Sequence, residues 1–404
     1  MKDKGTDKGM NPQRHLTFFA ALLSMIAPFS INTYLPSFPD IELEFGISRI
    51  VLSQSLAVYL LAFAISTLFW GPVADRFGRR LVILLSMSLY ALASVGCALA
   101  ESAETFLLLR IVQGLTASGG VVAARAMIRD AHDAKNARRA MSQVMLYFAL
   151  APAIAPLLGG LLHDLFGWRS VFWFLGGFGI LMGIIGVLTT ETLAKTQRHS
   201  IHPATVGRAY IGALRHRRFP ILILSWSLAF GGLFLYVAGA PTIIFQFLGL
   251  GSNDFAWLFM PIVLGLMAGA FISNHLTQHW TATRTISAGL LIMILACVIN
   301  LCAANFLTAS IPTVIGPLLF YVTGFALMIP ALTVLSLDCL PANRGMASSL
   351  QGFTQMITSA GVASFAVPLL SGRWMDFALG QVLFLLLAIA LWYRLSQLDK
   401  AGQV

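Results

Sequence analysis

The sequence predicts an all-α membrane protein of twelve transmembrane helices in two six-helix bundles, and three observations carry that prediction. Of 404 residues, 58% are hydrophobic and only 10% charged, whereas soluble domains carry about 25% charged residues. The apolar residues also fall in twelve blocks long enough to cross a bilayer, which takes about 20 residues per helix. These blocks span 16–36, 50–71, 81–100, 105–128, 141–162, 169–190, 219–247, 256–276, 284–305, 310–335, 345–369 and 377–396. Finally, 22 of the 26 Lys and Arg residues lie at alternate junctions between blocks or within three residues of the adjoining block ends, starting with the N-terminal tail, while the other junctions hold only Arg49, Arg169 and Arg373.

Basic residues accumulate on the cytoplasmic side of membrane proteins. Both termini are therefore expected in the cytoplasm, with the chain crossing the membrane many times. The net charge of +10 reads as this orientation signal and not as a nucleic-acid surface. The N-terminal stretch Met1–Arg14 is polar, and the block after it is too long for a signal-peptide core, so it reads as a retained first helix.

The expected organisation is a cytoplasmic tail (1–15), a first six-helix bundle (16–190), a cytoplasmic basic linker (191–218), a second six-helix bundle (219–397) and a C-terminal tail (398–404). The linker contains Lys195, Arg198, Arg208, Arg215, Arg217 and Arg218 and reads first as an orientation signal, with a lipid-headgroup or regulatory site as the other reading. Pairs such as Gly179/Gly183 and Gly265/Gly269 permit close helix approach. Prolines at 28, 152, 156, 241, 261, 317, 330 and 368 interrupt apolar blocks, either as plain packing or as bends in a moving bundle.

Several chemistries are excluded. The cysteines Cys97, Cys297, Cys302 and Cys339 have no paired spacing, so neither a zinc site nor a disulfide framework is expected. No HExxH, GxSxG or phosphate-cradling loop is present, which argues against an intramembrane enzyme and against direct use of ATP. No channel filter is visible either. No cofactor or metal is expected; the expected partners are a small-molecule substrate and the lipid bilayer.

The junction after the second block reads Gly71-Pro-Val-Ala-Asp75-Arg76-Phe-Gly78-Arg79-Arg80. Its small residues suit a tight helix-to-helix connection, Asp75 can meet a helix N-terminus, and the arginines hold the junction at the membrane face. The fourth block places Arg110, Gln113 and Gly114 on one helical face. An arginine at membrane depth costs at least ~2.5 kcal/mol, so it faces a wet cavity or a partner, unless it snorkels past Glu104 to the interface. The fifth block carries Ala151-Pro152-Ala-Ile-Ala-Pro156-Leu-Leu-Gly159-Gly160, a proline bend followed by paired glycines.

The junction resembles the signature loop of the major facilitator superfamily. Arg110-Ile-Val-Gln113-Gly114 looks like that superfamily's fourth-helix motif, whose arginine takes part in substrate or proton coupling. The fifth block resembles its antiporter motif, with alanine in place of the glycine before Pro156. Asn32-Thr-Tyr34-Leu-Pro, Arg125-Ala-Met-Ile-Arg129-Asp130 and Gly345-Met-Ala-Ser-Ser-Leu350 are similar to elements of Bcr/CflA-type drug exporters. The resemblance covers all but the tails and the linker. It implies the major facilitator fold and alternating access, with export of small amphipathic drugs or metabolites in exchange for protons. The alternative is a dedicated metabolite or siderophore exporter, or a facilitator not coupled to protons.

One departure matters. The aspartate of the exporter element is Asn32 here, and an amide carries no titratable proton. No acid lies deep inside a block. Asp338, at the inner end of the tenth, is a candidate carrier or else a solvated carboxylate; His163 and His275, at block ends, receive no role. Substrate is expected near the midplane between the bundles, where Asn32, Tyr34, Tyr59, Arg110, Gln113, Tyr147, Tyr236, Gln351 and Gln355 are candidates. Coupling and gating candidates are Arg110, Asp75, Arg76, Gly78, Arg79, Pro156, Gly159, Gly160 and Asp338. A lining of aromatics, amides and one cation suits neutral or anionic amphiphiles better than strong cations.

Overall fold

Apolar blocks of this length satisfy their backbone polar groups inside a bilayer only as helices or closed barrels, and here they are helices. The computed structural model describes residues 12–194, 203–276, 279–341 and 344–400. The tail residues 1–11 and the linker residues Lys195 and Arg198 lie outside the described residues. The helices are α1 (Pro12–Asn32), α2 (Phe38–Phe45), α3 (Arg49–Phe77), α4 (Arg79–Ala98), α5 (Ala103–Ala131), α6 (Ala134–Phe166), α7 (Arg169–Leu188), α8 (Pro203–Arg215), α9 (Phe219–Ala238), α10 (Ala256–Leu276), α11 (Ala282–Phe306), α12 (Ile311–Asp338), α13 (Arg344–Gly361), α14 (Val367–Leu370) and α15 (Trp374–Lys400). Twelve spans among the described residues are long and apolar enough to cross a membrane.

Side-chain caps fix where several spans begin. The hydroxyls of Ser48, Ser102 and Thr281 and the carboxylate of Asp133 accept from the backbone N–H three residues on, at Val51, Thr105, Arg284 and Asn136. Each satisfies a donor that a helix start otherwise leaves orphaned.

Helices α1 to α7 pack among themselves, as do α9 to α15, and the two groups meet mainly where α3 faces α13 and α6 faces α10. An even number of spans puts both chain ends on one face, the tail side; the opposite face is the far side. The far end of the first group is pinned by aromatic rings, with Phe106 edge-on to Phe172 at 5.2 Å and Trp168 against Phe45 at 5.6 Å. Glu44 accepts from Trp168 Nε1 at 2.6 Å and pairs with Arg169, while Arg49 grips Glu42 at 2.7 Å.

Three boundaries differ from expectation. The junction Gly71–Arg80 is not a loop: α3 runs through Pro72 to Phe77, and Gly78 alone (φ +105°) separates it from α4. That φ is open to glycine and strained for other residues. The expected linker contains a helix, α8. The seventh and eleventh blocks each break near the far side into a wider π-helical turn, Thr242–Phe247 and Val362–Ala366, beside Pro241 and Pro368, because proline cannot continue the regular hydrogen-bond ladder.

The most enclosed spans are the first and the seventh. In each, exposure is confined to the tail-side portion, at Phe18 and Leu22 in α1 and at Leu224 and Leu228 in α9, while the far portions are buried almost without interruption. For helices at the centre of a molecule, exposure at one end only means a cleft between the two groups that opens to the tail side.

Candidate substrate and coupling site

Arg110 is fully buried in α5. Its guanidinium lies between two tyrosine rings, 4.5 Å from the centroid of Tyr34 and 4.5 Å from that of Tyr59. Its N–H groups donate to the Ser30 carbonyl at 3.1 Å, the Ser55 carbonyl at 3.4 Å and the Gln113 side-chain oxygen. Gln113 in turn donates to Ser94 Oγ at 2.7 Å, Tyr34 bonds Ser55 Oγ at 3.0 Å, and Ser30 bonds Tyr90 at 2.6 Å. One cation thus ties α1, α3, α4 and α5 together. Among the described residues no carboxylate pairs with it; ring faces and carbonyl dipoles stabilise the charge instead, and a desolvated cation–π contact is worth about 2 kcal/mol. Arg110 neither snorkels nor meets Glu104.

This arrangement divides the candidates. Tyr34, Tyr59, Arg110 and Gln113 come together, but all are fully buried, so they form a caged charge and not the wall of an open cavity. The sequence does not show that because stacking on two rings takes up the surface an intramembrane arginine would otherwise offer to water. Asn32 is also buried, and its Oδ1 has no hydrogen-bond partner among the described residues. Tyr236 is fully buried in the second group, where Asn300 donates to it at 2.5 Å and to Gln381 Oε1 at 2.9 Å, and Trp374 donates to Asn300 at 3.3 Å. Gln351 accepts from Ser336 at 3.4 Å, and Gln355 accepts from Trp226 Nε1 at 3.2 Å. Of the substrate candidates, only Tyr147 (39% exposed) and Gln355 keep substantial open surface.

The far side is closed by contacts between the groups. Asp164 at the end of α6 accepts from Ser252 Oγ at 2.6 Å and from the Asn253 amide. Gln54 on α3 donates to the Ser364 carbonyl at 3.1 Å and accepts from its hydroxyl at 2.6 Å. Between them, the paired glycines of α6 face both groups: a Cβ at Gly159 would stand 1.8 Å from the Thr33 carbonyl oxygen, and one at Gly160 would stand 2.6 Å from that of Ser252. Pro152 and Pro156 lie in the preceding turns of the same helix.

Residues 20–364 match the family model described as Major Facilitator Superfamily. The chain belongs to the major facilitator superfamily. It is 27% identical over 87% of its length to a bicyclomycin resistance protein homologue of Haemophilus influenzae, covering 89% of that protein. It is 24% identical over 98% of its length to multidrug resistance protein D of Escherichia coli, covering all of it. Among solved structures it resembles a bacterial homologue of the human lysosomal transporter Spinster, with a TM-score of 0.72, 18% identity and coverage of 96% of this chain and 98% of that one; this likeness speaks for the fold. The superfamily makes the chain a multi-pass membrane transporter of small molecules and not an enzyme.

In this major facilitator protein the signature segment is a charge clamp. Arg79, 2% exposed, pairs with Asp75 at 2.6 Å and with Asp130 at 2.9 Å. Asp75 does not meet a helix N-terminus; Glu191 does, accepting from the backbone N–H of Arg79 at 3.0 Å and of Arg80 at 3.2 Å. Arg80 returns the favour by donating to the last carbonyls of α7, at Gly186 and Val187, so each helix end meets the charge its dipole favours. Asp338 is exposed and bonds Arg344 at 2.9 Å. Sequence reasoning missed Asp164, Ser252, Asn300, Gln381 and Glu191. An acid just beyond the end of an apolar block was the available signal for Asp164 and Glu191, but nothing local marks a partner 88 or 111 residues away.

Proposed function

We propose that this transporter exports small amphipathic molecules, drugs or metabolites, out of the cytoplasm across a bacterial inner membrane, by alternating access and in exchange for protons. The tail side is then the cytoplasmic side, as the placement of 22 of 26 Lys and Arg residues supports, and both termini lie there. The observation that carries the reading is the asymmetry of the interface: latched by Asp164 and Gln54 at the far side, open between α1 and α9 at the tail side. That is a carrier awaiting cargo from the cytoplasm. The resistance-protein names of the Haemophilus and Escherichia relatives support drug-like amphiphiles as cargo.

In this reading the chain works as a monomer of two rocking bundles, 16–190 and 219–397. Tyr147 and Gln355 meet substrate, Gln351 acts through packing one turn before Gln355, and Arg110 with Tyr34, Tyr59 and Gln113 is the rigid charged element that sets the pose of the first bundle. Tyr236 and Asn32 act through packing. Gly78, Asp75, Arg76 and Arg79 hold α3 and α4 as one unit during rocking, Pro156, Gly159 and Gly160 seat the far-side gate, and Asp338 with Arg344 belongs to the cytoplasmic rim. The proton route does not pass through position 32.

The test is reconstitution of the purified chain into liposomes with a pH dye inside, and delivery of a panel of amphipathic drugs to one face. Drug movement accompanied by opposite proton movement is expected. Drug movement with no proton signal would remove the exchange and leave a facilitator; no movement of any amphiphile would sink the export reading.

A further inference from the structure

Near the tail-side end of α5, Ala123, Ala124, Ala126, Met127 and Ile128 are all buried, while Arg125 and Arg129 are exposed. At this level the helix is therefore enclosed on every side but one. The direction of that side is given by Arg129, whose Nη1 lies 4.0 Å from where a Cβ of Gly345 on α13 would stand. Its guanidinium reaches the second group at the start of α13. Arg125 lies one turn deeper on the same face, roughly 9 Å from the helix end at 1.5 Å per residue, within the apolar span.

Arg125 makes no hydrogen bond, ion pair or ring contact among the described residues. Among the described residues the tail-side carboxylates are engaged elsewhere: Asp75 and Asp130 by Arg79, Asp338 by Arg344, Glu191 by the start of α4 and Asp133 by the start of α6. A permanent cation at membrane depth is costly unless it is paired or faces a functional cavity, and this one has its donors free in the cleft wall.

We propose that Arg125 is the anion subsite of the cleft and that the cargo includes amphiphiles with a carboxylate or sulfonate group. This rests on the export reading. The guanidinium fork matches such groups in two-point geometry. The caged charge of Arg110 lies 15 residues away, roughly 22 Å along the helix, and its donors are already satisfied, so it does not compete for the ligand.

The experiment uses the full chain in phosphatidylcholine nanodiscs, titrated with labelled deoxycholate and with its uncharged methyl ester. Replacing Arg125 by Gln is expected to weaken deoxycholate binding about tenfold, the value of one charge-assisted contact, and to leave the ester within about twofold. Arg125→Lys keeps the charge but not the fork and should recover only part of the loss, and Arg129→Gln should lose less than Arg125→Gln. Equal loss for both ligands, or loss for neither, overturns the proposal. Adding phosphatidylglycerol to about a fifth of the lipid separates the two sources of an anionic group. Competition seen in the wild type and absent in the Gln variant assigns the subsite to a lipid headgroup and overturns the cargo assignment; no competition keeps it. Liposome transport is read separately. Arg125-dependent binding without transport would sink the export reading alone, and transport of both ligands indifferent to Arg125 would sink the subsite alone.

Discussion

The Asp164 carboxylate accepts a hydrogen bond from the Ser252 hydroxyl at 2.6 Å across the boundary between the two groups of helices. With the Gln54 and Ser364 pair it is a side-chain tie that must part if the far side is to open. A cysteine pair at 164 and 252, in a background carrying Cys302→Ser to remove the exposed native thiol, is expected to cross-link readily. Oxidation should stop transport and reduction should restore it. Cross-linking with full transport retained would show that the far side need not separate here.

The neighbouring glycines predict different failures. Gly159 packs within one half, on Thr33, whereas Gly160 packs across the interface, on Ser252. Gly159→Ala forces backbone apart and is expected to cost about 3 kcal/mol or more of stability, read as a clear fall in the detergent melting temperature. Gly160→Ala should hold the melting temperature nearly constant and favour a far-side-open state, read as faster labelling of a cysteine placed at Ser364.

The Arg110 cage predicts that charge alone does not suffice. Arg110→Lys keeps the cation but has no planar fork to serve Ser30, Ser55 and Gln113 together. It is expected to lose nearly as much transport as Arg110→Ala, measured as initial rate in liposomes. A lysine variant with wild-type rate would reduce the cage to simple electrostatics.

Position 32 offers a gain of chemistry. Asn32 is buried with its side-chain oxygen unpartnered among the described residues, two residues beyond the Ser30 carbonyl that Arg110 grips. Asn32→Asp puts an ionisable group there, and transport is expected to acquire a pH dependence that the wild type lacks at that position, seen by comparing rate profiles of the two proteins. Superimposable profiles would mean that this site never sees protons.

Much of this was legible in the sequence for a physical reason. Bilayer thickness fixes span length, so all twelve spans and their alternation of basic residues could be read directly. The signature segment, the Arg110 motif and the paired glycines were legible as local patterns. What local pattern cannot encode is the partner: that Tyr34 and Tyr59 sandwich Arg110, that Glu191 and not Asp75 caps α4, and that Ser252 closes on Asp164 all depend on long-range packing. Burial was the chief surprise, since Tyr236 looked like cavity lining until Asn300 and Gln381 met it.

The unneutralised guanidinium of Arg110 also has an electrical consequence. A fixed positive charge in a low-dielectric interior experiences the transmembrane voltage, which acts with about 2.3 kcal/mol per elementary charge per 100 mV across the full field. If α5 tilts during the cycle, the charge is displaced along that field, and even a tenth of the drop biases the two poses by about 0.2 kcal/mol. The membrane potential then does work on the carrier itself, whatever the charge of the cargo.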